Sequence, residues 1–151
     1  TGAGLIIMHM RGTPANMQSP ENLVYQDVIN EVTAFLRQAS ELAIKAGVKK
    51  ERIIWDPGIG FAKGLTDNLR LLGEIGKLSV AEGYPLLVGP SRKTFVGALL
   101  DQPEPTKRQW GTGGAVAWLA LQGVELVRVH DVAEMKQLLT VLNACRAAKG
   151  A

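Results

Sequence analysis

Four short apolar runs, each followed by a longer segment of helical periodicity, constrain the fold of this chain more than any other feature. The runs are residues 5–8, 53–56, 85–89 and 124–129. The segments that follow them carry apolar residues every three or four positions, which is the spacing of one helix face. Strands that alternate with helices in this way form a parallel sheet with right-handed crossovers. The sequence therefore predicts an α/β fold in the order β-α-β-α-β-α-β-α.

The helices are predicted from these periodic segments and from the residues that can begin or end them. The longest runs from Glu21 to Ala46 and is closed by Gly47. Thr66 can cap a second helix, which ends at Gly83. Three further helices are expected at residues 93–100, 106–123 and 133–148.

Polar and reactive residues gather where the four strands end. They are His9, Arg11, Asp56, residues 91–93, Arg128 and His130. Reactive side chains at the C-terminal ends of several strands are typical of a β/α barrel active site. A doubly wound open sheet is the alternative, but its dinucleotide fingerprint fails because Lys63 stands where a third glycine would follow Gly58 and Gly60. The pattern favours the barrel.

Four strands are half of the eight that close such a barrel. An arc of four leaves two unpaired edges and an open interior, which a stable soluble protein normally hides. We therefore expect a fragment, or a chain that a second copy or another chain completes. Thr1 in place of a methionine fits a chain that begins inside a longer one. In isolation the chain is expected to be oligomeric or marginally stable.

Composition is that of an ordinary globular protein and narrows the function classes. A net charge of +3 is too mild to indicate nucleic acid binding. The single cysteine, Cys145, excludes an internal disulfide, and we expect it on the inner side of the last helix with Met135, Leu138 and Leu142. Two histidines argue against a metal site built by the protein. Without a membrane-spanning run or a signal peptide, the expected location is the cytoplasm.

Positive charges near the last two strand ends predict an anion pocket. Arg128 and His130 are two residues apart on a strand end, so their side chains face the same way. Lys93 follows the preceding strand, near the start of a short helix. Loops after the last two strands are the common phosphate site of β/α barrels, and these side chains suit phosphate or pyrophosphate. The alternative is an ion pair of Arg128 or His130 with Asp131 or a neighbouring glutamate.

Asp56 is the carboxylate most in need of a partner, because strand alternation places it on a buried face where an unpaired charge is costly. It can pair with Arg128 or Lys93. It can also accept two parallel donors from a guanidine-like heterocycle. The other polar residues of these loops are interpreted as structural: Lys63 and Arg11 as solvated charges, and His9 as a hydrogen-bonded histidine of the rim.

Four motifs in this order resemble the dihydropteroate synthases, a family of pterin-binding barrels. They are Met-His-Met-Arg-Gly-Thr-Pro at residues 8–14, Asp-Pro-Gly-Ile-Gly-Phe-Ala-Lys at 56–63, Gly-Pro-Ser-Arg-Lys at 89–93 and Arg-Val-His-Asp-Val at 128–132. The departures are mild, with Ala62 where glycine is common and Pro90 before the serine. The resemblance implies that residues 1–151 form a single partial domain, the C-terminal half of a TIM-type (β/α)8 barrel with strands five to eight and their helices.

The resemblance also implies a transferase reaction. In that family, 6-hydroxymethyl-7,8-dihydropterin pyrophosphate and 4-aminobenzoate give dihydropteroate and pyrophosphate for folate synthesis. Pyrophosphate leaves first, and the aniline nitrogen then attacks the exocyclic carbon of the pterin cation. Mg²⁺ would be bound through the substrate pyrophosphate and a residue of the missing N-terminal half, with no metal ligand in this chain. A homodimer through the C-terminal helices and sensitivity to sulfonamides are further implications; nucleic acid and membrane partners are not expected.

The site residues of the family map onto this sequence one by one. The implied catalytic residues are Lys93, Arg128 and His130. The implied pterin-binding residues are Met8, Asp56, Gly60, Gly89, Lys93 and Arg128. Aminobenzoate would lie near Phe61, Lys93 and Thr94, and pyrophosphate near Arg128 and His130. The motifs of the family's first half are missing from this sequence, so activity of the chain alone is a separate question.

Two other functions fit parts of the sequence. A related pterin-binding barrel, which passes a methyl group from methyltetrahydrofolate to a corrinoid, would keep the pterin slot but has no use for the anion pocket. A non-catalytic half-barrel would only bind pterin or a partner chain. An upstream reading frame that encodes a first strand of the Asn-Thr-Pro-Asp type would favour the synthase.

Overall fold

A parallel sheet of short strands runs through the chain in sequence order. The computed structural model describes residues 2–149, except for the side chains of residues 79–81. Its strands are β1 (Leu5–Met8), β2 (Ile53–Asp56), β3 (Leu87–Val88) and β4 (Leu126–Val127). Each strand lies inside one of the four apolar runs, so the predicted α/β class is confirmed.

All the strand pairs within residues 2–149 are parallel. β1 pairs with β2 along its whole length, and β3 pairs with β4. The two pairs are joined at Trp55, which forms a parallel bridge with Leu86. The backbone N–H of Trp55 donates to the Pro85 carbonyl over 2.9 Å. Neighbours in the sheet are therefore neighbours in sequence, as in the wall of a β/α barrel.

Helices connect the strands and follow the last one. In the described part of the chain they are α1 (Val28–Lys45), α2 (Leu65–Gly73), α3 (Ile75–Glu82), α4 (Thr94–Leu100), α5 (Gln109–Leu121) and α6 (Val132–Ala148). Short 3-10 turns occupy Pro20–Leu23, Lys50–Arg52 and Pro105–Lys107. None of the helices within residues 2–149 is long and apolar enough to cross a membrane.

The start of α1 differs from the prediction. The helix begins at Val28 and not at Glu21, because Asp27 caps it by accepting hydrogen bonds from the backbone N–H groups of Ile29 and Asn30 over 3.1 and 3.3 Å. The residues before this cap form the 3-10 turn at Pro20–Leu23 instead. Asp27 is a residue type that favours the N-cap, so the sequence did contain a signal for this helix start. The apolar periodicity extends further toward the N-terminus and led to the earlier predicted start.

The second predicted helix is two helices. It starts after Gly64 and not at Thr66, and it breaks at Glu74, whose φ of −110° and ψ of 15° are not helical. Glycines on both sides of the break, Gly73 and Gly76, weaken the helix at this point. The indole N–H of Trp118 donates to the carbonyl of Leu72 over 2.7 Å and satisfies part of the freed backbone.

Two expectations for the later helices are also wrong. The helix predicted from Thr106 begins at Gln109, because Pro105 opens a separate 3-10 turn. In α6, Met135 is buried as expected, but Cys145 is exposed. Leu138 and Leu142 are half-buried, so the inner side of this helix is covered as far as Leu142 and is open at Cys145.

The hydrophobic core lies on one side of the sheet, between the strands and the helices. Ile53, Trp55 and Val88, which point toward the helices, are fully buried. On the opposite face Ile6 is 51% exposed and Leu126 is 39% exposed. A doubly wound sheet carries helices on both faces, whereas the described helices cover only one face here. The single-domain interpretation of residues 1–151 remains a prediction, and Thr1, Gly150 and Ala151 lie outside the described residues.

Candidate active site at the strand ends

A polar cleft of about 390 Å³ opens at the C-terminal ends of β2, β3 and β4. Its lining residues are Asp56, Ile59, Phe61, Gly89, Ser91, Lys93, Arg128, Val129 and His130. Six of these belong to the nine site residues that the resemblance implies, so the structure brings these six together around one space. The three predicted residues that do not line it are Met8, Gly60 and Thr94.

Asp56 ends β2, and the residue is nearly buried, at 9% exposure. Its Oδ1 atom accepts the N–H of Gly58 over 2.8 Å, and the hydrogen bonds of residues 2–149 leave Oδ2 free to accept a donor in the cleft. Burial raises the pKa of Asp56 above its ordinary value, although the Gly58 hydrogen bond and the charges of Lys93, Lys63 and Arg128 oppose this shift.

Lys93 lines the cleft from its position at the N-cap of α4. Its Nζ lies 3.8 Å from the centre of the Phe61 ring, within the range of a cation–π contact. Burial lowers the pKa of Lys93, and the carboxylate of Asp56 opposes that shift. A Cβ atom on Gly60, where φ is +79°, would lie only 2.9 Å from the Lys93 side chain. Gly60 therefore contributes by leaving room for Lys93.

Lys63 is a cation that the sequence analysis placed wrongly in solvent. It is 4% exposed, and its Nζ donates to the carbonyls of Gly58 and Phe61 over 3.0 Å each. The same atom lies 2.9 Å from Nδ1 of His9. Burial lowers the pKa of Lys63 to about 7. Lys63 thus ties the loop after β2 to the end of β1, below the cleft.

Backbone geometry in this loop explains two small residues of its motif. Gly58 has a φ of +69°, and a Cβ atom there would lie 1.9 Å from the His9 carbonyl oxygen, so only glycine fits. Ala62 has a φ of 51°, a left-handed conformation that suits the glycine common at this position in the resembled family. The Ala62 carbonyl accepts the hydroxyl of Tyr25 over 2.9 Å, which helps to hold this conformation.

His9 is structural in its surroundings, as predicted. The residue is 3% exposed, contacts Lys63 through Nδ1 and meets the Phe35 ring edge-on at a centroid distance of 5.0 Å. Burial, followed by the charges of Lys63 and Arg11, lowers the pKa of His9 from 6.5 to about 3. The imidazole is therefore neutral throughout the physiological range.

Acidification is expected to destabilise the chain through His9. Between pH 6.5 and about 3 the unfolded chain binds a proton on His9 that the folded chain excludes. This contribution to the free energy of unfolding is complete above pH 6.5 and is lost as the pH falls, by about 1.4 kcal/mol per pH unit. Urea unfolding of the parent chain and of His9→Gln at several pH values measures it. Equal pH slopes in the two chains would contradict the prediction.

The turn after β3 is held from outside the cleft. Arg92 has a φ of 58°, its guanidinium pairs with Asp131 over 2.6 Å, and its N–H donates to Thr112 Oγ1 over 3.0 Å. Asp131 is thus paired with Arg92, and within residues 2–149 Arg128 forms no ion pair. The alternative in which Asp131 neutralises Arg128 or His130 is therefore not supported. The Arg128 guanidinium remains available to a ligand.

Arg108 supports the same turn and was missed by the sequence analysis. It is 6% exposed, and its guanidinium lies against Gly97, where a Cβ atom would come within 2.5 Å of it. The backbone carbonyls that accept its hydrogen bonds belong to Arg92 (3.0 Å), Lys93 (3.3 Å), Gln102 (2.9 Å) and Pro103 (2.5 Å). Because all four acceptors are backbone carbonyls, which every residue type carries, the sequence pattern does not predict these hydrogen bonds.

The cleft can therefore hold a ligand with two different ends. Asp56 offers an acceptor at one end, and Arg128 and His130 line the same space with donors. Phe61 and Ile59 supply apolar walls between these groups. Such a site suits a flat heterocycle that donates hydrogen bonds and carries an anionic group.

Parallel strands in sequence order, with helices outside and charged side chains at their carboxyl ends, define the wall of a β/α barrel enzyme. The family model of the pterin binding enzymes matches residues 1–130 of the chain. The chain therefore belongs to the pterin-binding enzyme family.

Individual relatives carry the name that the four motifs indicated. The dihydropteroate synthase of Synechocystis sp. is 46% identical over 142 residues, which are 94% of this chain and 48% of that protein. The crystal structure of the Yersinia pestis dihydropteroate synthase in a sulfonamide drug complex has a TM-score of 0.91 at 38% identity, covering 98% of this chain and 53% of the other. The Xanthomonas albilineans enzyme with 4-aminobenzoic acid has a TM-score of 0.88 at 37% identity, covering 97% and 50%.

The resemblance drawn from the sequence is thereby confirmed. The chain spans about half the length of the curated relatives it matches, as the 48% coverage of the Synechocystis protein shows.

Proposed function

We propose that the chain supplies strands five to eight of a dihydropteroate synthase barrel, the C-terminal half. The assembled enzyme would join 6-hydroxymethyl-7,8-dihydropterin pyrophosphate to 4-aminobenzoate, with release of pyrophosphate. The observation that carries this proposal is the cleft, which places the acceptor of Asp56 and the donors of Arg128 and His130 around one space. The relatives at 46% and 38% identity agree with it.

Each end of the cleft suits one part of the pterin substrate. The free Oδ2 of Asp56 would accept the amino and ring N–H groups of the pterin, while Lys93 would donate to its carbonyl side. Gly89 and Met8 would border the ring. Arg128 and His130 would hold the pyrophosphate.

The aminobenzoate is proposed to bind at the outer edge of the cleft. Phe61 and Lys93 are already in contact there through the cation–π pair. Thr94 is the first residue of α4, so its backbone N–H has no partner within the helix and would be free to donate to the aminobenzoate carboxylate. The Yersinia pestis relative was crystallised with a sulfonamide drug. We propose that sulfonamides compete with aminobenzoate in this part of the cleft.

Catalysis would be mainly electrostatic. As the bond between the exocyclic carbon and the pyrophosphate oxygen breaks, negative charge grows on the leaving group beside Arg128 and His130. Positive charge grows on the pterin beside the carboxylate of Asp56. Both changes strengthen contacts that already exist in the bound substrate, and this difference lowers the barrier.

Magnesium is proposed to reach the site with the pyrophosphate. Within residues 2–149 no group of three His, Cys, Asp or Glu side chains could hold a metal ion. Asp56 is the one carboxylate among the lining residues, and it faces the charges of Lys93 and Arg128. These residues do not fit a protein-built magnesium site. The ion would be bound by pyrophosphate oxygens and by a residue of the other half of the barrel.

Two apolar surfaces support the proposed partners. The first is a groove of about 330 Å³ between α2, α4 and α5, with Leu69, Leu99 and Trp118 in its lining. Trp110, at the start of α5, is 86% exposed beside it. Exposed apolar patches of this kind mark interfaces, and we assign this one to a homodimer. The second surface is the bare inner face of the sheet, around Ile6 and Leu126, which would receive the first half of the barrel.

A cytoplasmic location is part of the proposal. The free thiol of Cys145 is exposed on α6. Exposed free thiols persist in reducing compartments such as the cytosol.

The proposal is tested by completing the barrel. The chain is mixed with the N-terminal half of the Synechocystis dihydropteroate synthase, and dihydropteroate formation is measured. We expect product from the mixture and none from either half alone. The control pairs the same N-terminal half with its own C-terminal half. Product in the control, together with binding but no product in the test mixture, would contradict the proposed function.

A further inference from the structure

Two hydrogen bonds join Ser91 to His130, and together they constrain which ring nitrogen of His130 carries the proton. Ser91 is 5% exposed at the end of β3, and its Oγ lies 2.9 Å from Nδ1 of His130. The same Oγ accepts the backbone N–H of His130 over 3.2 Å. These are its hydrogen bonds within the part of the chain that the structure describes. One serine hydroxyl thus contacts both the backbone and the ring of one histidine.

The backbone bond decides the direction of the ring bond. Because Oγ already accepts the His130 N–H, its own proton is the group left to satisfy. Nδ1 of a neutral imidazole can accept that proton only if the ring carries its hydrogen on Nε2. In the opposite tautomer Nδ1–H would donate to Ser91, and the serine proton would have no acceptor among the described residues at a position that is 5% exposed, which costs free energy.

We propose that Ser91 is a positioning residue that fixes neutral His130 in the tautomer with the proton on Nε2. This inference rests on the proposed function for its consequence. Nε2 points away from Ser91, and within residues 2–149 it has no hydrogen-bond partner. The ring lines the cleft beside Arg128. His130 therefore presents a donor, and not a lone pair, to the oxygens of an anionic leaving group.

The tautomer can be measured directly because the chain has two histidines. Ring nitrogens are labelled with ¹⁵N, and long-range ¹⁵N–¹H spectra are recorded at pH ~9, where imidazole is neutral. His9→Gln assigns the two rings. We expect His130 to be almost wholly in the Nε2–H form. Ser91→Ala should lower its ratio of Nε2–H to Nδ1–H about tenfold, and Ser91→Cys, a weaker donor, should give an intermediate ratio. A ratio that is unchanged in Ser91→Ala, or a parent chain mainly in the Nδ1–H form, would overturn the inference.

Binding of inorganic pyrophosphate separates this inference from the proposed function. By calorimetry, Ser91→Ala should bind pyrophosphate about tenfold more weakly than the parent chain. Thr33→Ala, which removes a hydroxyl bonded to the Ile29 carbonyl in α1, is the matched control and should bind as the parent does. A parent chain that shows the Nε2–H form but binds no pyrophosphate would support the role of Ser91 and contradict the proposed anion site. Equal pyrophosphate affinity in the parent and Ser91→Ala would overturn the role of Ser91.

Discussion

Replacing Arg128 by alanine in the completed barrel is expected to lower turnover by about 100- to 1,000-fold, the loss typical of removing one group that stabilises transition-state charge. Arg128 forms no ion pair within residues 2–149, so its replacement breaks no ion pair of the described chain. Its guanidinium lines the cleft, where charge on the leaving group grows as the bond breaks. Steady-state kinetics with both substrates saturating give the value.

Lys93→Ala is expected to lower turnover by a similar factor, with unchanged far-UV circular dichroism, because we propose that Lys93 contacts both substrates. Arg37→Ala is the matched control. Arg37 pairs with Glu82, and neither residue lines the cleft, so its loss should leave turnover unchanged. Parental turnover in Arg128→Ala or Lys93→Ala would remove the roles assigned to these residues.

Arg108→Met is expected to cost about 3 kcal/mol of folding free energy or more. The methionine fills much of the space but donates no hydrogen bond. The carbonyls of Arg92, Lys93, Gln102 and Pro103 then lose a shared donor in a site where Arg108 is 6% exposed. Urea unfolding measures the loss.

The control for Arg108 is a second arginine that donates to a backbone carbonyl. Arg146 donates to the Ala120 carbonyl over 2.7 Å, but from an exposed position on α6. Arg146→Met should change the free energy of unfolding by less than about 0.5 kcal/mol. Arg108→Lys should fall between the two, because an ammonium reaches fewer of the carbonyls. Equal losses in Arg108→Met and Arg146→Met would show that burial of Arg108 is unimportant.

Strand positions and the cleft were predictable from the sequence because both depend on local patterns. An apolar run that ends in a charge places that charge at a strand end, and alternation places Asp56 and Arg128 on the same face. The parallel order brings the ends together. The cleft residues Asp56, Lys93, Arg128 and His130 follow from these two rules, and they line one space. Gly89 lines it as well, but only the resemblance indicated that residue.

Contacts between distant backbone and side-chain atoms were not predictable. Lys63 was wrongly predicted to lie in solvent, because its burial depends on acceptors that the local pattern does not reveal. These are the Gly58 and Phe61 carbonyls and a histidine 54 residues earlier. Ser91 and His130 are 39 residues apart, and nothing in either motif states that they touch. The start of α1 was predicted wrongly for a different reason. The apolar periodicity extends beyond the helix toward the N-terminus, whereas the cap at Asp27 sets the actual start.

The one-sided core gives the two faces of the sheet separate thermodynamic roles. A substitution at Ile53 or Val88, both fully buried under the helices, changes the free energy of folding of this chain. A substitution at Ile6 or Leu126 on the open face should change mainly the affinity of the chain for the proposed other half of the barrel. Halves taken from different members of the family should therefore be exchangeable as long as their inner faces match, even where their outer layers have diverged. In the proposed assembly the barrel interior would be a protein–protein interface, which a continuous chain would conceal.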